Sequence, residues 1–148
     1  MKLSTKSRYG LRILIQIALD NIHYKRLAQG KKIAERQGLT EAYLEQIVIP
    51  FKKKGILGTV RGCNGGYELI KSPEDITVLD IIEIFEGKIR FADCSSPDNN
   101  KKCKRTEICP AAHIWKKLEN SFRSQAAEIS LQEILEHYRK QMIPDYVI

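Results

Sequence analysis

Residues 40–70, TEAYLEQIVIPFKKKGILGTVRGCNGGYELI, decide how the rest of the chain is read. Thr40 is a good helix N-cap, and Leu39 and Leu44 stand where a hydrophobic staple fixes the incoming chain. Leu44, Ile47, Val48 and Phe51 recur at i, i+3, i+4 and i+7. They form one apolar stripe and leave Glu41, Ala42, Glu45, Gln46 and Lys52 on an outer face that can meet a base edge. After Gly55 the period changes: Ile56 to Arg61, a turn of Gly62, Cys63, Asn64, Gly65 and Gly66, then Tyr67 to Ile70 read as a two-stranded hairpin. Helix followed by hairpin is the back half of a winged helix.

The front half lies just upstream. Residues 31–37 form a short helix with Ile33 and Ala34 inward, and the Gly38-Leu39 turn joins it to the helix at Thr40 with helix-turn-helix spacing. Short helix pairs with a glycine turn are common in α-rich proteins, so charge has to discriminate. Residues 1–70 hold 13 Lys and Arg against 5 Asp and Glu, whereas residues 71–148 hold 12 against 13, so the net +7 of the 148-residue chain resides with the helices and hairpin. A polyanion partner for that half follows, because each neutralised phosphate releases counterions. The alternative is a basic surface that is merely solvated.

The length suits one domain with a small appendage and is sufficient for a sizeable core. The first apolar run, Leu11 to Leu19, is broken by Arg12 and Gln16 and does not resemble a secretory signal. No window approaches the roughly 18 apolar residues of a membrane span, so a cytoplasmic location is expected. There cysteines stay reduced, and a cluster of them points to metal or redox chemistry more than to disulfides.

Ser4 can cap a first helix running to about Asp20, with Leu11, Leu14, Ile15 and Ala18 buried and Lys6, Arg8 and Arg12 adding charge near its start. Thr77 can cap a short helix whose Val78, Ile81, Ile82 and Phe85 face inward and which Gly87 stops. From Ala92 to Ile108 the chain is polar and without hydrophobic period, and reads as a loop. Pro110 starts a long helix whose Trp115, Leu118, Phe122 and Ile129 make one apolar seam. Such a seam suits pairing with a second copy, or burial against the first helix of the same chain. Ser130 and Glu133 form a capping box for a last helix carrying Leu131, Ile134, Leu135 and Tyr138.

Cys94, Cys103 and Cys109 fall in the polar loop, which offers no core for them to join. Cys109 precedes Pro110 and so stands at or next to the helix N-cap, where the dipole favours thiolate. His113 follows one turn along the same face, within reach of an ion held by Cys109. Three thiolates and an imidazole complete a four-ligand set. Soft thiolates take zinc or an iron-sulfur cluster. The cysteines are spread with eight and five residues between them, closer to a loop wrapped round a larger cofactor than to tight zinc knuckles. Zinc, a metal-free redox loop and an inert loop stay open, as does a thiol oxidoreductase using Cys109 as nucleophile.

The stretches LSTKSRYGLR, KKIAERQGLTEAYLEQ, the wing pattern from Gly55 to Leu69, ITVLDIIEIFEG and three cysteines ahead of Trp115 together resemble the Rrf-type winged-helix transcription regulators, closest to the iron-sulfur (IscR) group, over nearly the whole chain. The resemblance implies a mainly α, winged helix-turn-helix fold with a two-stranded wing and a long dimerisation helix. Residues 1–87 would be the DNA-binding domain, 88–109 a cluster-binding loop and 110–148 the dimerisation and C-terminal helices. It implies a homodimeric DNA-binding regulator, expected to be a repressor, on an imperfect palindromic operator. Ala42, Tyr43, Glu45 and Gln46 match the recognition-helix positions, with Glu45 reading a cytosine amino group and Gln46 an adenine or a phosphate. Arg61 matches the wing arginine, while Gly65 and Gly66 allow a tight wing turn.

The cofactor implied is a [2Fe-2S] cluster on Cys94, Cys103 and Cys109, with His113 as fourth ligand and Glu107 in reserve. His113 departs from the pattern, falling four residues after the last cysteine instead of three. Arg8 stands where the family's nitric-oxide sensors carry a ligating carboxylate, and a guanidinium does not ligate. Cys63 replaces a usual wing proline, and Pro50 is expected to kink the recognition helix or end its regular bonding early.

Overall fold

Ser4 Oγ accepts a hydrogen bond from Ser7 N at 3.1 Å and opens the first helix, α1 (Thr5–Ala18), in the computed structural model, which describes residues 2–95 and 103–142. Ile13, Leu14, Ile17 and Ala18 are wholly buried along its inner face. The expected end at Asp20 is corrected: regular α-helix stops at Ala18 and the chain widens into a π-helical turn over Leu19–His23. Asp20 gives a physical reason. It is buried, and its carboxylate accepts from Arg26 Nη2 at 2.6 Å and Nε at 3.0 Å, which draws the turn toward the segment that follows.

Helix α2 (Gly30–Gln37) ends on Gly38 at φ 66°, the left-handed cap that lets the chain turn directly into Thr40 and α3 (Glu41–Lys53). Leu44, Ile47, Val48 and Phe51 are buried as the stripe requires. Pro50 does not end this helix, which continues to Lys53. Phe51 explains the persistence: it is wholly buried with its ring edge-on to Phe85, centroids 5.3 Å apart, so packing holds the last turn where one backbone bond is missing.

Strands β1 (Leu57–Val60) and β2 (Gly66–Leu69) pair antiparallel, Leu57 opposite Leu69 and Val60 opposite Gly66. A short bridge adds Ala28 alongside Tyr67, with N–H to carbonyl bonds of 2.8 and 3.1 Å in the two directions. The wing is therefore bonded to the chain that leaves the π-turn.

Thr77 and Asp80 form a full capping box on α4 (Val78–Glu86), which Gly87 closes. Helix α4 crosses α1 at Gly10, where any Cβ would come within 2.4 Å of the Phe85 ring. Helix α5 (Pro110–Glu128) starts on Pro110 as expected and leans on α4, with Arg123 ion-paired to Glu83. The chain then returns. Val78 N bonds to Ile129 O at 2.9 Å and Leu131 N to Ile76 O at 2.8 Å, and α6 (Leu131–Met142) puts Leu131 and Leu135 into the same core as α1 and α3.

Candidate nucleic-acid interface and cysteine segment

Thr40 Oγ1 accepts from Tyr43 N at 3.2 Å, so α3 begins where the sequence places it, and Glu41, Ala42, Glu45 and Gln46 line its exposed side. Tyr43 is half-buried: its ring meets Tyr9 edge-on at 6.3 Å, and the Arg12 guanidinium lies 5.3 Å from the Tyr9 ring centre. The first helix thus carries positive charge to the flank of the recognition helix.

Glu45 is exposed yet tied. Tyr67 of β2 donates its phenolic proton to the Glu45 carboxylate, a contact between positions 22 residues apart. Burial pushes the Tyr67 phenol well above its ordinary value, and the bond to Glu45 raises it further, so the hydroxyl remains a donor. One carboxylate oxygen of Glu45 is therefore held toward the wing while the side chain stays open to solvent.

Arg61, Cys63 and Asn64 are exposed at the wing tip. A Cβ at Gly65 would lie 2.2 Å from Val60 O, and one at Gly66 2.6 Å from Ala28 O. Both glycines are there for close backbone approach. Asn21 was not singled out from the sequence, and it holds the wing from behind: its Nδ2 donates to Tyr67 O at 3.2 Å and its Oδ1 accepts from Leu69 N at 2.7 Å. No periodicity marks such a residue. The one local hint is a polar Asp20-Asn21 pair inside an apolar run.

The cysteine segment is arranged differently. Cys94 lies in a single 3-10 turn (Asp93–Ser95) beside the flank of α5, where Ser95 Oγ donates both to Ala92 O at 2.8 Å and to the Glu119 carboxylate. Glu119 is ten residues beyond Cys109, about 15 Å up the helix at 1.5 Å per residue. Cys109 is the N-cap of α5 and half-buried, Cys103 is exposed, and His113 and Glu107 are exposed near the helix start. Among the described residues, no three His, Cys, Asp or Glu side chains gather closely enough to hold a metal ion. The donor set has the chemistry of a thiolate-bound centre, three sulfurs and an imidazole. Its assembly requires these side chains to come closer together than they stand.

Along α5, Ile114, Trp115 and Leu118 are 51%, 41% and 47% exposed, while Phe122 packs against Phe91 with centroids 6.1 Å apart. Most of the seam is thus open, and the part that is covered meets the segment after α4, not α1.

A family model described as an iron-dependent transcriptional regulator, Rrf2, matches residues 3–137. The chain belongs to the Rrf2 family of transcription regulators. It is 30% identical over 143 residues to the regulator NsrR of Bacillus licheniformis, covering 95% of this chain and 98% of that one. The solved structure of T. potens IscR superposes with a TM-score of 0.75 at 31% identity, covering 97% of this chain and 92% of the other. CymR of B. subtilis, described as the global cysteine regulator, gives 0.73 at 30% identity over 93% and 98%. This Rrf2-family chain is accordingly a winged helix-turn-helix transcription regulator whose family partner is DNA. Its relatives are regulators, which sets aside the oxidoreductase alternative. Among the described residues no helix is long and apolar enough to cross a membrane.

Proposed function

We propose that this chain is a homodimeric, cytoplasmic DNA-binding repressor that reads an imperfect palindrome and is controlled by a [2Fe-2S] cluster on its cysteine segment. The observation that carries the DNA reading is the pairing of an exposed recognition face, Ala42, Glu45 and Gln46, with a wing that is hydrogen-bonded to that face through Tyr67. With α3 in a major groove, Glu45 keeps an acceptor for a cytosine amino group and Gln46 presents an amide to adenine or phosphate. Tyr43 flanks them, Arg61 enters the neighbouring minor groove, and Gly65 and Gly66 keep the wing turn close to the backbone. The open seam at Ile114, Trp115 and Leu118 is the surface on which two α5 helices pair.

Cys94, Cys103, Cys109 and His113 would hold the cluster. An iron-sulfur centre supplies a bond network that is lost on oxidation or iron shortage. The chain's own contribution is positional. Drawing Cys94 toward Cys109 breaks the Ser95 bond to Glu119 and shifts the segment packed on α5, which changes the spacing of the two α3 helices in the dimer.

Anaerobic purification with iron, sulfide and zinc analysis tests the cofactor. Red-brown protein with matched iron and sulfide, colourless in Cys103→Ala, is expected; colourless protein with stoichiometric zinc defeats it. Footprinting tests the DNA reading, with a two-fold symmetric protected site expected and an asymmetric one refuting the dimer.

A second reading has its own support: CymR, similar over 93% of this chain, is described as a cysteine regulator. In that reading the thiols respond directly, without an inorganic centre. Iron-free and zinc-free protein whose operator affinity changes on thiol oxidation supports it.

A further inference from the structure

Between the π-turn and α6 lies an open-sided cavity of about 280 Å3. Ala18, Leu19, Ile22 and Leu135 form its apolar floor, and Gln132 lies beside them. The other three lining residues are His23, Lys25 and Arg139, so among the described residues every ionisable side chain that lines the cavity is basic. The nearby carboxylates are engaged elsewhere: Asp20 accepts from Arg26, and Glu136 accepts from Gln132 Nε2 at 2.8 Å. Neither Lys25 nor Arg139 forms an ion pair among the described residues.

Two backbone features mark the same spot. The π-helical turn widens the end of α1 there, and Lys25 sits at φ 52°, a left-handed conformation unfavourable for a side chain of its size. Such strain persists only where surrounding bonds over-determine it. Here Arg26 N donates to Asp20 O at 3.0 Å and Asn21 Nδ2 to Arg26 O at 3.0 Å, so the turn is pinned where Lys25 lines the cavity.

The geometry points to a binding site for a small organic carboxylate with a short aliphatic body, its head group on Lys25 and Arg139 and its chain on Leu19, Ile22 and Leu135. At about 30 Å3 per water-sized group, the cavity holds about nine such groups, the size of a six- to eight-carbon acid. A cationic rim over a concave apolar floor is the usual form of such a site. Asn21, on the same π-turn, bonds both Tyr67 O and Leu69 N, so a ligand that shifts the turn shifts β2. Control of operator affinity through that path rests on the DNA reading proposed above; the binding site itself does not.

The probes are the straight-chain carboxylates from butanoate to octanoate, each beside its neutral amide, added to the full-length 15N-labelled protein without DNA. Amide shifts confined to residues 19–25, 132–139 and 67–69 are expected, with the carboxylates binding at least tenfold more tightly than the amides. Lys25→Gln with Arg139→Gln should remove that preference, and Gln132→Trp, which fills the cavity and leaves both charges, should remove binding of acid and amide alike. Equal binding of acid and amide, shifts that map elsewhere, unchanged binding in these variants, or no shift with any member of the series overturns the site. Operator affinity measured with and without octanoate then reads the coupling separately: a change of threefold or more supports it, and an unchanged value removes the coupling and leaves the site.

Discussion

The head and the cysteine segment are built to opposite rules. In the head, exposed positions are tied to the framework: Glu45 bonds to the buried Tyr67, the outer face of α3 lies opposite the buried stripe of Leu44, Ile47, Val48 and Phe51, and Asn21 bonds the wing strand. In the cysteine segment the turn that carries Cys94 is tied to α5 through the Ser95 hydroxyl, while Cys103 is exposed. A surface that reads a fixed groove gains from being rigid, whereas a sensor must have two arrangements of similar energy. The contrast is therefore expected of a regulator whose reading part is preset and whose sensing part is not.

The hardest test of that contrast compares Phe51→Ala with Cys103→Ala. Phe51 is wholly buried with its ring edge-on to Phe85, so truncation should cost about 3–5 kcal/mol. Cys103 is exposed, and its truncation should leave stability within about 0.5 kcal/mol while abolishing the visible absorbance of the anaerobic protein. Urea denaturation beside absorption spectra measures both. Equal stability losses would erase the distinction between the two regions.

Gly66→Ala comes next. Its Cβ would fall 2.6 Å from Ala28 O and 2.9 Å from Ala28 C, both backbone atoms that cannot rotate away. The wing must shift or the bridge to Ala28 must open, at about 1–3 kcal/mol. Operator affinity should fall with it, while the cofactor content stays unchanged. A variant that binds DNA normally would show that the wing is less fixed than the head as a whole.

Much of the head could be read directly from the chain. The Thr40 cap, the stripe through Phe51, the Gly38 turn, the Thr77 capping box and the hairpin all follow from local rules of spacing and capping, and all are present. What local rules miss is tertiary. The Tyr67 to Glu45 bond joins residues 22 apart, the burial of Asp20 depends on Arg26, and the continuation of α3 past Pro50 depends on Phe85 packing against Phe51. The cysteine loop shows the converse limit. Residue types and order name Cys94, Cys103, Cys109 and His113 as candidate ligands, but spacing cannot show that Ser95, the neighbour of Cys94, bonds Glu119 on α5. Residues 96–102 of that loop lie outside the described residues.

Tyr67→Phe probes the joint between wing and recognition helix without removing bulk. Loss of the hydrogen bond should cost about 1 kcal/mol. The larger consequence is in specificity: with Glu45 free to rotate, discrimination at the base pair it faces should weaken, while binding to non-specific DNA is unchanged. Selection of binding sites from a random pool reads this directly. An unchanged site preference would show that Glu45 is oriented by the groove and not by the wing.

The smallest effect concerns the seam between α1 and α4. Glu86 lies at the end of α4, and its Oε1 accepts from the Ser7 hydroxyl and from Ser4 N at 2.8 Å. The Ser7 hydroxyl, then the Ser4 groups, hold the Glu86 carboxyl below its ordinary value of 4.5. A carboxyl that is more acidic in the folded protein than in the unfolded chain adds stability in full above pH 4.5, and the contribution disappears as pH falls through the lowered folded value. Glu86→Gln should therefore melt below the wild type at pH 6, and the two melting curves should converge as the pH is taken from 4.5 toward 3. Since Glu86 is exposed, added salt should narrow the gap at pH 6 as well. A gap that stays constant across this range would mean that the bonds from Ser4 and Ser7 act as neutral packing contacts, and the start of α1 would then owe its place to Gly10 against Phe85 alone.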